Sequence, residues 1–315
     1  MDFDIIAVPL NQIETTDHTF KISTETDFTE LALSISAIGL LQPPVLIRKG
    51  PAFVVVSGYR RIAACQAIHL AGITARVLHP DSDRMQCAQI AVAENSFQRT
   101  LNVVEQSRAF ALLQRTAGEA ASWLKIAQST GLPASQTARD RILPVAGMPA
   151  ALQAAILEGS LALPVALHIH RLNSDDAMAL CRFFRKITTG LNIQRELLEV
   201  ISEICRRDDI PIAEFLQLDE ITQILDNQAA TVPQNVQQLR LLLKAKRFPE
   251  LSKAEAAFHR KLKALKLDPR IQLLPPRFFE GKSYRLTVCI DSRRQLHSLQ
   301  PEFEKLIRHT DILPE

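Results

Sequence analysis

Short apolar runs and helically spaced apolar stripes divide this chain into a strand-bearing beginning and a long helical continuation. Asp4 to Val8 reads as a first strand. Pro44 to Arg48 and Phe53 to Val56 read as two more, joined by the turn Lys49-Gly50-Pro51. Asn11 to Thr26 is polar and turn-like, with no periodicity. Leu31, Leu33, Ile35 and Ile38 fit a short amphipathic helix, with Asp27 as N-cap, Glu30 completing a capping box and Gly39 as the stop. Ile62 to Leu70 predicts a helix ended by Gly72, and Ile73 to Leu78 a further strand. Asp81 or Ser82 caps a helix running through Met85, Ile90 and Val92. The sum is an α+β unit closing near residue 100.

From there the pattern is helical. Asn102-Val103-Val104-Glu105 is a capping box opening a helix through Phe110 and Leu113 to Gly118. Residues 120–143 have the look of a helix-turn-helix: Ala121 to Ser129 with Trp123, Leu124 and Ile126 partly buried, Gly131 at the turn, and Ser135 to Leu143 as second helix. Its exposed Ser135, Gln136, Arg139 and Arg141 are the candidates for contact with double-stranded DNA, since Gln and Arg read base edges bidentately and Ser reaches phosphate. His168 and His170 read as ordinary surface or core residues. Residues 175–226 supply helices with apolar faces, and Asp226 to Gln234 reads as a joint. Ile271 to Leu274 and Tyr284 to Ile290 predict two strands, and Leu296 to Arg308 a closing helix. That β-β-α tail is too small to stand alone, so dimerisation or docking on the preceding helices is expected. The expected domains are 1–101, 102–172, 173–232 and 233–315.

Charge sharpens the picture in two places. Residues 236–266 hold nine Lys and Arg against Glu250 and Glu255, in a chain whose net charge is only +3. An apolar stripe runs beneath that charge, so the stretch reads either as a solvated helix face or as a surface that tracks phosphates. The second place is Val54-Val55-Val56-Ser57-Gly58-Tyr59-Arg60-Arg61, a strand, one glycine and the first turn of a helix. Two cations at a helix N-terminus oppose the helix dipole, and a bound phosphate satisfies both the arginines and the backbone N–H groups. Glu94 poses the converse conflict near the end of its own helix; it is either a ligand, with Asn95, for a hard cation such as Mg²⁺, or solvated or paired with Arg99. The five cysteines are scattered and never paired as C-x-x-C, which argues against a zinc site or a disulfide framework. The start of the sequence has no basic and apolar leader, and no apolar run is long enough to span a membrane, so a cytoplasmic, nucleoid-associated protein is expected.

Three boxes in order carry a family resemblance: Gly39-Leu40-Leu41-Gln42-Pro43, Gly58-Tyr59-Arg60-Arg61, and Glu94-Asn95 followed by Leu101-Asn102-Val103-Val104-Glu105. They resemble the GxxQP, GERR and EN…LNPxE boxes of ParB partition proteins, and the resemblance covers about residues 1–172. It implies a ParB-like nucleotide-binding domain followed by a helix-turn-helix domain, working as a homodimeric clamp on DNA that binds CTP with Mg²⁺ and hydrolyses it slowly. A ParA-type ATPase is the implied partner in chromosome or plasmid segregation. Carried onto this chain, Gln42 and Pro43 lie against the base or sugar, Ser57, Gly58, Tyr59, Arg60 and Arg61 line the phosphate side, and Glu94 and Asn95 hold the metal, with Glu94 as the catalytic candidate. The sequence departs from the family pattern at Tyr59, where the family has Glu, and at Gln98-Arg99, which sits one residue late relative to Leu101-Asn102. Those departures keep open a ParB-fold transcription regulator without a nucleotide switch. Kinases and nucleases share the fold, but a helix-turn-helix would serve no purpose in a kinase, and the chain has no carboxylate cluster for a two-metal nuclease.

Overall fold

A computed structural model describes residues 3–117, 123–281 and 283–308. The chain divides into two compact units, residues 1–172 and 173–315.

The first unit opens with β1 (Phe3–Pro9), β2 (Ile13–Glu14), α1 (Thr29–Ile38), β3 (Val45–Lys49), β4 (Ala52–Ser57), α2 (Tyr59–Ala67), β5 (Gly72–Leu78) and α3 (Arg84–Ser96). The strands form one mixed sheet in the order β1-β5-β3-β4-β2, with β1/β5 and β3/β4 antiparallel and β5/β3 and β4/β2 parallel. β4 explains the layering. Its Val54 and Val56 pack into a cluster with Ala88, Val92 and Phe110, whereas Phe53 and Val55 pack on the opposite face with Ile35, Ile62 and Cys65. Alternate residues of a strand point to opposite faces, so an unbroken β-branched run is the mark of a strand covered on both sides.

The unit continues with α4 (Val103–Thr116), α5 (Trp123–Ser129), α6 (Gln136–Ile142), a 3₁₀ turn over Leu143–Gly147, α7 (Ala150–Leu157) and α8 (Leu163–Ile169). The cluster beneath β4 runs on through Phe110 and Leu113 of α4 to Ile126 and Ala127 of α5. A single core therefore joins the sheet to the helices that follow it.

Several local expectations are corrected. The polar segment 11–26 is not structureless: it contributes β2, and its Phe20 and Ile22 are buried. In α1 only Ile35 is buried; Leu33 and Ile38 face outward, so the apolar stripe is not a core face. Asp27 accepts from Thr29 N at 2.9 Å without a capping box from Glu30. Gly72 does not end a helix but begins β5, opposite Pro9; α2 has already ended at Ala67. Asp83, not Asp81 or Ser82, caps α3 through Met85 N. The capping box at Asn102 and Glu105 is present as expected. Gly118 and Ala121 lie outside the described residues, as do the side chains of Trp123 and Leu124.

The second unit holds α9 (Ser174–Ile187), α10 (Leu191–Asp208), α11 (Ile212–Phe215), α12 (Asp219–Leu225), α13 (Val232–Arg247), α14 (Pro249–Leu265), the antiparallel pair β6 (Ile271–Leu274) and β7 (Arg285–Val288), α15 (Arg293–Ser298) and α16 (Gln300–Arg308). Leu180, Phe184, Leu197 and Ile201 are buried, as their helical spacing predicts. Pro233 and Gln234 belong not to a joint but to the first turn of α13, where Thr231 and Gln234 form a capping box and Pro is tolerated. The closing helix is two helices that meet at Leu299. Ile271, Leu273, Leu299 and Leu306 pack on Phe258 and Leu265 of α14, so the tail docks on the preceding helix. Among the described residues no helix is long and apolar enough to cross a membrane.

Candidate functional site

The turn from β4 into α2 sets the site. Gly58 sits at φ +97°, and a Cβ there would stand 2.8 Å from Pro44 Cβ and 3.1 Å from Arg61 Nε. Both the backbone conformation and the close approach require glycine. No side chain caps α2, which leaves its first turn open to an external acceptor. Beside it is a cavity of about 520 Å³. Gln42, Ser57, Gly58, Tyr59, Arg60, Arg61, Glu94 and Asn95 all line it, although they come from three separate segments of the chain. Pro43 is not a lining residue; its carbonyl, like that of Gln42, accepts from Arg61 Nη1, at 3.2 and 3.1 Å.

Arg61 is the pivot of the cluster. Its Nη2 lies 3.1 Å from Glu94 Oε2, and both side chains are largely shielded from solvent. Glu94 thus pairs with Arg61 rather than with Arg99, the alternative partner that the sequence suggested. Arg60 lies further out, donating from Nε to Asp27 O at 2.8 Å and pairing with Glu25. Tyr59, at the position of the family's carboxylate, engages backbone carbonyls with its hydroxyl, which donates to Val55 O at 2.8 Å and lies 3.2 Å from Asp17 O, and its ring carries Lys21 Nζ 5.8 Å from the centroid. Burial pushes its phenol above the ordinary range, so it stays neutral. Asn95 Nδ2 donates to Ala91 O at 2.8 Å, which leaves its Oδ1 for another partner. Among the described residues no group of three His, Cys, Asp or Glu could hold a metal. Glu94 and Asn95 supply three side-chain oxygens at most, one of them already paired with Arg61, a donor set that suits a magnesium ion only if it keeps waters and takes phosphate oxygens as well.

The sequence missed one whole wall of this cavity. Lys21, Ser23, Glu25 and Thr26 line it from the polar segment, and Arg99 closes its end. The available signal was Phe20 and Ile22 alternating with Lys21 and Ser23, a strand-like rhythm that buries two residues and turns the other two to the cavity. The displaced Arg99 reaches a partner the sequence did not suggest. Its two terminal nitrogens stand 2.7 Å from the two oxygens of fully buried Glu105. That carboxylate also accepts from Thr24 N at 2.9 Å and Asn102 N at 3.1 Å. Burial alone would raise the Glu105 pKa, but Arg99 and these N–H donors hold it down at about 2.

Of the four DNA candidates, Ser135, Gln136 and Arg141 are exposed. Arg139 is half-buried, against expectation, because its side of α6 packs toward α4. Ser135 caps α6 by accepting from Ala138 N at 3.3 Å, and Gln136 Nε2 donates to Asp140 at 3.0 Å. Gly131, at φ +72°, makes the turn between α5 and α6 against the end of α3, where a Cβ would meet Ser96 Oγ at 2.9 Å. The turn therefore abuts the helix end that carries Glu94 and Asn95.

The basic stretch is largely neutralised within its own unit. Arg240 pairs with Glu196, Lys244 with Glu255, Lys246 with Glu220, Arg247 with Glu203 and Lys253 with Glu250, at 2.5 to 2.9 Å. At least five of the nine cations are thus matched, which weakens the reading of α13 as a phosphate-tracking surface.

Residues 3–96 match the family described as ParB N-terminal domain. The chain is 26% identical over 211 residues to the probable plasmid-partitioning protein ParB of Thermus thermophilus, covering 58% of this chain and 69% of that one. It is 32% identical over 167 residues to the probable chromosome 1-partitioning protein ParB of Deinococcus radiodurans, covering 52% of this chain and 54% of that one. Among solved structures, the C-terminally truncated chromosome-partitioning protein ParB of Caulobacter crescentus aligns in two complexes. The complex with the centromeric parS site gives 19% identity and a TM-score of 0.36, over 61% of this chain and 97% of that one. The complex with CTP-gamma-S gives 22% and 0.26, over 57% and 98%.

Proposed function

We propose, from the match of residues 3–96 to the ParB N-terminal domain, that this chain is a partition protein that binds DNA as a homodimeric clamp under the control of CTP and Mg²⁺. One observation carries the reading: seven residues drawn from the three boxes, with Ser57 beside them, converge on a single cavity next to an uncapped helix N-terminus. In this reading residues 1–101 hold the nucleotide and residues 102–172 the DNA.

The chemistry follows from the charges. A triphosphate takes Arg60, Arg61 and the first N–H groups of α2. Glu94 and Asn95 would hold Mg²⁺, which would supply positive charge to offset that of the triphosphate. Arg61 and Glu94 neutralise one another in the structure, so Arg61 would have to leave Glu94, at least in part, to hold a phosphate. Gln42, which lines the cavity, is assigned to the base or sugar in this reading. α5 and α6 form the DNA module, with Gln136 and Arg141 at base edges or phosphates and Ser135 at a phosphate. Partnership with a ParA-type ATPase and slow CTP hydrolysis belong to the same proposal.

Titration calorimetry of CTP against ATP, GTP and UTP with Mg²⁺ tests it, with wild type beside Arg61→Ala. CTP-selective binding that is lost in the variant is the expected result. A folded protein that binds none of the four overturns the switch and leaves a ParB-fold DNA-binding regulator, the reading favoured by the neutral Tyr59 in place of a carboxylate.

A further inference from the structure

A second cavity of about 470 Å³ shares the Lys21, Ser23 and Thr26 wall with the first, and is closed on its other sides by α4 and α7. Its lining includes three basic side chains, His18, Lys21 and Arg108, and no Asp or Glu among the described residues. Arg108 is held in place there. Its Nη2 donates to Gln153 Oε1 at 3.0 Å and its Nη1 to Ser23 O at 3.3 Å. Gln153 is itself only 9% exposed, and its Nε2 donates to Val145 O and Met148 O at 3.2 and 3.0 Å. Those two carbonyls fix the amide so that its oxygen faces the guanidinium.

The arrangement is unusual for a half-buried arginine, since both of its acceptors are neutral and a second cation lines the same space. A shielded guanidinium is normally matched by a carboxylate. α7 opens on the same cavity at Ala150, and no side chain caps it, which adds the positive end of a helix dipole. Thr26 adds a hydroxyl donor, whereas the Thr24 hydroxyl already donates to Glu105 at 3.1 Å. We propose that this cavity is a second anion site, one that binds the phosphate group of a small phosphorylated ligand on Arg108 and Lys21. Its concave form suits a small molecule better than a DNA backbone. The site stands whether or not the first cavity takes a nucleotide.

The test titrates inorganic pyrophosphate into the full chain carrying Arg60→Ala and Arg61→Ala, which removes the two arginines assigned to phosphate in the first cavity, while Arg108 lines the second cavity and not the first. One pyrophosphate per chain is expected to bind, and adding Arg108→Gln is expected to weaken it about tenfold or more, as loss of a charge-assisted fork does. No binding by the folded double variant overturns the proposal, and so does binding that Arg108→Gln leaves unchanged. Where thermal melting shows that Arg108→Gln does not fold, Lys21→Gln replaces it, since Lys21 is half-buried and its recorded contact is with the Tyr59 ring. A loss of at least about threefold is then expected from removing one charge, and no loss overturns the proposal. Duplex DNA affinity that falls with Arg108→Gln, with no pyrophosphate binding, assigns the groove to the DNA backbone and also overturns it.

Discussion

Replacing Glu105 by Gln removes the one carboxylate that ties the 20–26 segment, the end of α3 and the start of α4 together. Glu105 is fully buried, and its pKa stands at about 2 against an ordinary 4.5. At 1.36 kcal/mol per pKa unit, that depression is worth roughly 3 kcal/mol to the folded state. A second route gives a similar figure: breaking a buried ion pair costs about 3–5 kcal/mol, and Arg99, partly open to water, can rehydrate, which puts the cost at the lower end. The sign is that of a depressed acid. The stabilisation is complete above the unfolded pKa and disappears as pH falls through the interval from about 5 to 2. Urea unfolding followed by circular dichroism measures it. With a slope of about 2 kcal/mol per M, Glu105→Gln is expected to lower the midpoint by about 1.5 M near neutral pH and by much less near pH 3. A variant within about 0.5 kcal/mol of wild type at neutral pH refutes the reasoning, as does a gap that stays constant on acidification.

Four further outcomes follow from the same geometry. Gly58→Ala forces a Cβ into Pro44 at a left-handed φ, and thermal melting should show a loss of roughly 2–4 kcal/mol, about 5–10 °C. Tyr59→Phe deletes the bond to Val55 O and should cost about 1 kcal/mol in urea unfolding, with nucleotide binding retained. Arg141→Ala should weaken duplex binding and lower the magnitude of the salt slope by about 1, measured by anisotropy across a KCl series. Arg240→Ala with Arg247→Ala should leave duplex affinity within about twofold, because Glu196 and Glu203 already match those charges.

What the sequence determined by itself is local. The β-branched run Val54 to Val56, the glycine after Ser57, and the Asn102/Glu105 capping box each rest on interactions within a few residues, and each stands where its pattern places it. The box residues were legible as candidates for the same reason: two arginines in a first helical turn conflict with their own helix wherever that helix lies. Tertiary structure decided the partners. Arg61 meets Glu94 across thirty-three residues of sequence, Glu105 meets Thr24 across eighty-one, and Arg108 meets Gln153 across forty-five. No periodicity encodes such pairings, because each depends on how two elements sit on the shared sheet. The same limit made the 11–26 segment look idle and the 236–266 charges look available. A polar loop becomes a cavity wall only when Phe20 and Ile22 are anchored in a core, and a row of cations is neutralised only when a neighbouring helix brings its glutamates alongside.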